Sequence, residues 1–313
     1  VDIAPTSLGL CGLDVPQWLA IPGNHDSASR LSFGAELLSR AGLHIRARPE
    51  ECREPILVRK GGESLALWAL PYLNPGAFAS PQAPEPGAQA TSAAPLPGAA
   101  QGELFGPSGA AAAEPANRPL RSQAELFAEA LARIKPRLVS GSPNVLIAHC
   151  FAAGSSPSES ERSFVGAAEE VPVSLFEGFD YVALGHLHRH QAAGPQALYP
   201  GSPLAYSFSE AEAQPEKGFL LVEFGPGGRT EDFLAVEPLH RVRRISGGFA
   251  ELSRPGAFPG YGGDYVEIRL TDPLPVLDPV DALKANFPLL LSLRQSAFEI
   301  AAGPGAQGPG PAR

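Results

Sequence analysis

Four side chains able to hold a divalent metal stand at the ends of apolar stretches. They are Asn24 in Pro22-Gly23-Asn24-His25-Asp26, His149 after the run 144–148, and His186 and His188 in Gly185-His186-Leu187-His188. Imidazole nitrogens and an amide oxygen, without thiolates, suit manganese, iron or zinc and disfavour a structural zinc site. His186 and His188 are two apart, so in an extended segment they project to one side and can straddle a pair of metals. Two ions about 3.5–4 Å apart bind and activate a water and clamp the oxygens of a phosphoryl centre during in-line attack, which is the chemistry of phosphodiester hydrolysis. A single histidine after a strand is an ordinary surface or core residue. Three such placements, spelled GNHD and GHLH, are not expected from coincidence.

The elements that must position these residues follow from patterning. Residues 15–21 read as a short buried strand running into the polar loop of Asn24, and 28–41 as a helix with Leu31, Phe33, Leu37 and Leu38, closed by Gly42. Residues 55–58 and 64–70 form a hairpin around Lys60-Gly61-Gly62-Glu63. A helix over 122–134 presents Leu126, Phe127, Ala130, Leu131 and Ile134 on one face and leads to the strand that delivers His149. The run 179–184 delivers His186 and His188 in the same manner. Three strands ending in polar loops that hold Asn or His indicate an α/β fold with its site at one sheet edge. Residues 218–224 and 231–236 read as a hairpin, and 240–245, 265–270 and a helix over 280–287 suffice for a small second α/β unit.

Between 79 and 120 the composition turns to Ala, Pro, Gly and Ser, too poor in large apolar residues to offset the entropy of ordering, and a disordered insertion is expected. The tail 301–313 has the same character. The expected division is therefore a catalytic domain in two parts, 1–78 and 121–237, a second domain over 238–300, and the insertion and tail.

A 313-residue chain that is 44% hydrophobic can bury a sizeable core. Its net charge of −9 argues against binding nucleic acid through bulk charge, so any DNA contact must be local or shared with a partner. Cys11, Cys52 and Cys150 are widely spaced and form no C-x-x-C pair, which argues against a disulfide framework or zinc knuckle and fits a reducing cytoplasm. No signal segment and no run of 18 apolar residues is visible, so no membrane association is expected.

The stretches IPGNHDS, LIAHCF, FDYVALGHLHRHQ and YPGSPLAYSFSE resemble the calcineurin-like metallophosphoesterases, and within them the SbcD family of bacterial SbcCD nucleases. The likeness runs from about Cys11 to Gln295, and YVEIRLTDPLPV resembles that family's capping domain. It implies a metallophosphoesterase β-sandwich flanked by helices, with a small α/β capping domain over 238–300. It also implies two divalent ions, Mn2+ by preference, with Asn24, His149 and His186 on one and His188 on the other. His25 would stabilise charge or protonate the leaving oxygen at the phosphate, and Asp26 would orient it. The implied partners are DNA and an SbcC-like coiled-coil ATPase, in a heterotetramer built on a nuclease homodimer that processes double-strand breaks and hairpins.

The family pattern also needs an Asp-x-His and a Gly-Asp-x-x-Asp ahead of GNHD. Neither is present: Asp2 and Asp14 are the only acidic residues before Asn24. With no methionine in the chain, not even at position 1, an N-terminally truncated and therefore inactive or nearly inactive copy is expected. The alternatives are a metallophosphoesterase for another phosphoester and a non-catalytic scaffold subunit of the ATPase complex. Arg241, Arg243 and Arg244 form a small basic patch that could meet DNA phosphates, with a solvated strand face as the plainer account. Ser202, in Gly201-Ser202-Pro203, is expected to line the site. His190 is expected to be a solvated loop residue.

Overall fold

The computed structural model describes residues 17–75, 77–78, 120, 122–157, 169–214 and 216–298. The expected insertion, apart from Leu120, and the tail lie outside these residues, as do Asp2, Cys11 and Asp14.

The chain opens with strand β1 (Trp18–Ala20), helices α1 (Ala28–Leu31) and α2 (Ala35–Ser39), and strands β2 (Leu43–Ile45), β3 (Ile56–Lys60) and β4 (Glu63–Leu70). Helix α3 (Gln123–Ile134) leads to β5 (Asn144–His149), β6 (Phe151–Ala152), β7 (Glu170–Val171), β8 (Tyr181–Gly185), β9 (Gln191–Ala192) and β10 (Ala197–Tyr199). Helix α4 (Phe208–Ala213) precedes the hairpin of β11 (Lys217–Gly225) and β12 (Gly228–Val236). Last come β13 (Val242–Gly247), α5 (Phe249–Leu252), β14 (Tyr265–Leu270), α6 (Val280–Lys284) and β15 (Leu290–Gln295).

The central sheet has the order β3-β4-β5-β8-β10-β9, with β4, β5, β8 and β10 parallel and both edge strands antiparallel. Its inner strands are near-continuous apolar runs because both faces are covered. Alternation sorts them: Leu67, Ala69, Val145, Ile147, Tyr181, Ala183 and Leu198 form one core, which Leu19 and Ile21 join and against which Leu220, Val222 and Phe224 of β11 pack. Trp68, Leu70, Leu146, Ala148, Val182, Leu184 and Tyr199 face the opposite way, onto Leu126, Phe127, Ala130, Leu131 and Ile134 of α3. The fold is thus mixed α/β, with helix packed on one face of the sheet and further strands on the other.

Helix α3 follows its sequence signal closely. Ser122 caps it by accepting from the Glu125 N–H at 3.2 Å, and the Glu125 carboxylate accepts from the Ser122 N–H at 3.3 Å. The helix expected over 28–41 is instead two short ones, broken where Gly34 adopts φ 73°, a left-handed conformation that interrupts the hydrogen-bond ladder. The strand β2 pairs in parallel with β1 and was not legible in the pattern.

The start of β5 is fixed by Asn144. Its Oδ1 accepts from Trp68 Nε1 at 3.1 Å and from the Val139 N–H at 2.9 Å, while its Nδ2 donates to the Val139 and Ser142 carbonyls, each at 3.0 Å. This buried amide therefore uses its full bonding capacity and sets the register of the strand that ends in His149.

Residues 242–295 build a separate parallel sheet, β13-β14-β15, over a core of Leu252, Val266, Ile268, Leu270, Leu283 and Phe287. The third strand and α5 carry no strong sequence signal, and the helix expected over 280–287 stops at Lys284.

Candidate metal centre

β5 and β8 lie side by side, with His149 in register with Gly185, so their C-terminal ends place His149 and His186 as neighbours. The two rings meet edge to face with centroids 5.2 Å apart, and Phe151 flanks His186 at 6.3 Å. His186 has φ 117°, a conformation that a side chain with a Cβ rarely adopts. Strain of about 1–3 kcal/mol at such a position is characteristic of residues aimed by the surrounding structure.

The Asn24 loop comes to His149 from the other side. His149 Nε2 lies 3.0 Å from Asn24 Oδ1 across 125 residues of sequence. A Cβ on Gly23 would lie 2.6 Å from His149 Cε1, so only glycine allows this approach. The loop is closed by its own carboxylate: the Gly23 N–H donates to Asp26 Oδ2 at 2.9 Å, and the Asp26 N–H to the Gly23 carbonyl at 3.2 Å. The Tyr72 N–H donates to the Pro22 carbonyl at 3.0 Å and ties the loop to the segment after β4.

His149 is 6% exposed. Burial first, and then the neighbouring His186, His25 and His188, push its pKa down to about 3, so the ring is neutral at pH 7. Metal binding requires a neutral ring, and ligation through Nε2 would place the ring proton on Nδ1. Two donors each about 2.1 Å from one ion and at right angles are about 3.0 Å apart, which is the spacing of His149 Nε2 and Asn24 Oδ1. The donors present therefore fit part of a divalent ion's ligand set. Among the described residues no group of three or more His, Cys, Asp and Glu is gathered as a metal cage.

His188 is held on a different set of contacts. Its Nδ1 donates to Glu210 Oε1 at 2.9 Å, and its ring lies 4.9 Å from that of Tyr206. Its carbonyl accepts from Lys217 Nζ at 2.7 Å and from the Ser202 N–H at 3.2 Å. Glu210 was missed by sequence reasoning, although the S-x-x-E spelling of Ser207 to Glu210 signals a capped helix. Ser207 does accept from the Glu210 N–H at 3.2 Å, but the Glu210 carboxylate turns to His188 and to the Tyr206 N–H.

Ser202 is 6% exposed, and its hydroxyl donates to the Leu204 carbonyl at 2.6 Å and accepts from Lys217 Nζ at 3.2 Å. It is built into the His188 loop. Arg241 pairs with Glu237 at 2.6 Å, Arg243 with Asp264, and Arg244 with both Glu267 and Glu212. Each guanidinium of the basic patch thus already faces a carboxylate. His190, expected as a solvated loop residue, is half-buried: its Nδ1 donates to the Tyr199 carbonyl at 2.9 Å, and its ring stacks on Phe233 at 4.8 Å.

No helix among the described residues is long and apolar enough to cross a membrane. No family model matches the chain. The chain is similar to the D subunit of the SbcCD nuclease of Staphylococcus saprophyticus, 27% identical over 284 residues, a match that covers 90% of this chain and 65% of the relative's length.

Proposed function

We propose that this chain is a nuclease subunit of the SbcD type, which hydrolyses DNA phosphodiesters with two divalent ions, Mn2+ by preference, in processing double-strand ends and hairpins. The observation that carries the reading is the approach of Asn24, His149 and His186 at the ends of separate elements, with His149 kept neutral by burial. The similarity to an SbcD nuclease favours DNA over other phosphoesters.

Asn24, His149 and His186 would hold one ion and His188 the other. Bound as a pair, the ions supply an activated water and neutralise charge at the phosphoryl oxygens. His25, on the loop of Asn24, would meet the reacting phosphate and either stabilise charge or pass a proton to the leaving oxygen. Asp26 would orient it through the loop backbone, which its carboxylate closes on Gly23. For Arg241, Arg243 and Arg244 to reach DNA, phosphates would have to replace their carboxylate partners. The proposed partner is a coiled-coil ATPase of the SbcC type, two of which join a nuclease homodimer and share the contact with DNA that a chain of net charge −9 does not make alone.

The 313-residue polypeptide lacks a carboxylate of the Asp-x-His or Gly-Asp-x-x-Asp kind to bridge the ions, and by itself is expected to be inactive or nearly so. That absence is the one observation favouring the scaffold reading. Nuclease assays on linear and hairpin DNA with Mn2+ separate the two. They compare this polypeptide, a form joined at its N-terminus to a segment carrying both motifs, and that form with His25→Ala. Cleavage by the joined form alone is expected. No cleavage by any form, even with the ATPase present, would leave the scaffold.

A further inference from the structure

The Glu210 side chain is 2% exposed, and that of Lys217 beside it 7%. Burying these charges is costly unless each is paired and hydrogen-bonded, and here they answer one another at 3.6 Å while both bond to the segment that carries His188. Lys217 takes the His188 carbonyl and Ser202 Oγ; Glu210 takes the His188 ring through Oε1 and the Tyr206 N–H through Oε2 at 3.1 Å. One buried ion pair thus holds the loops of His188, Ser202 and Tyr206 together.

We propose that Glu210 is a positioning residue that fixes the tautomer and direction of the His188 ring, with Lys217 as its counter-charge. The inference rests on the reading of His188 as a metal ligand only for its consequence, not for its geometry. A carboxylate only accepts, so the neutral His188 ring must carry its proton on Nδ1, which leaves Nε2 with the lone pair that a metal needs. Carboxylate support of this kind orients a ligand imidazole and raises its basicity.

The arrangement makes the isosteric substitution Glu210→Gln informative. Two donors, the Tyr206 N–H and Lys217 Nζ, face Oε2, so a glutamine turns its carbonyl oxygen toward them and its NH2 toward His188. Nδ1 then has to accept, and the ring proton moves to Nε2. The side-chain volume is kept, and Glu210→Ala serves as a second variant in which the carboxylate that accepts from Nδ1 is gone.

The test is 15N NMR of the His188 ring in the metal-free full chain, followed by titration with Mn2+ and with diamagnetic Zn2+. Wild type is expected to show a single Nδ1–H tautomer, Glu210→Gln the Nε2–H tautomer and Glu210→Ala a loss of the uniform Nδ1–H form, with affinity at His188 weakened about 10- to 100-fold in both variants. An Nδ1–H tautomer kept in both variants would overturn the inference. If the tautomer switches as expected but His188→Ala leaves metal binding unchanged, the positioning role stands and the metal reading of His188 falls.

Discussion

His149 Nε2 and Asn24 Oδ1 lie 3.0 Å apart although 125 residues separate them in sequence. The contact exists because β5 ends at His149 beneath a loop whose Gly23 has no side chain to block the ring. Replacing Gly23 with alanine puts a methyl group 2.6 Å from His149 Cε1, and the ring has to move. Gly23→Ala is therefore expected to keep the fold, lower divalent-metal affinity at least tenfold, and abolish the nuclease activity proposed for the form carrying both acidic motifs. Metal titration of the variant beside wild type checks this, and unchanged affinity would mean that the Asn24 loop is not part of the site.

Strain at His186 gives a second expectation. With φ 117°, this position suits glycine better than any residue with a Cβ. His186→Gly and His186→Ala both remove the imidazole, yet the glycine variant is expected to be about 1 kcal/mol the more stable in urea denaturation. Equal stability of the two would remove the argument that the backbone is held in a costly conformation for the sake of the ring.

Tyr199 ties β10 to the segment after His149. Its hydroxyl donates to the Cys150 carbonyl and accepts from the Ala152 N–H, each at 2.8 Å in the core. Tyr199→Phe strands both backbone groups and is expected to cost about 1–3 kcal/mol, read as a lower urea midpoint with an unchanged slope. A loss confined to metal binding would assign Tyr199 to the site and not to the scaffold.

Burial pushes the Cys52 thiol up to about 11 from 9.0 and the Cys150 thiol well above its ordinary value. The reactive species is the thiolate, so in a Cys11→Ser variant neither thiol is expected to react with an aromatic disulfide reagent at pH 8 until the protein is unfolded. The contribution of Cys52 to stability is complete below pH 9.0 and is lost as the pH rises through about 11. Rapid labelling of the native variant would show that the β5 end of the core opens.

Much of the fold around the candidate metal centre was legible because apolar runs and glycine-flanked polar spellings are local signals. The strands of Ile147 and Val182, the apolar face of α3 and the hairpin of β11 with β12 all announce themselves within a few residues. Glu210 and Lys217 did not, because their role is to meet His188 from 22 and 29 residues away, and nothing in a local pattern states that contact. The break in the helix expected over 28–41 turned on one glycine conformation at Gly34, which outweighed a weak apolar periodicity. Arg241, Arg243 and Arg244 form a basic run in sequence but not a free basic surface, since Glu237, Asp264, Glu267 and Glu212 arrive from other elements.

The most direct test of the proposed metal centre is anomalous diffraction from crystals of this chain soaked in Mn2+, recorded at the manganese edge. A peak is expected within coordination distance of Asn24 Oδ1, His149 Nε2 and the His186 ring, and it should be lost in His149→Ala. Ordered loops with no peak among these residues at saturating Mn2+ would contradict the assignment of a metal to them.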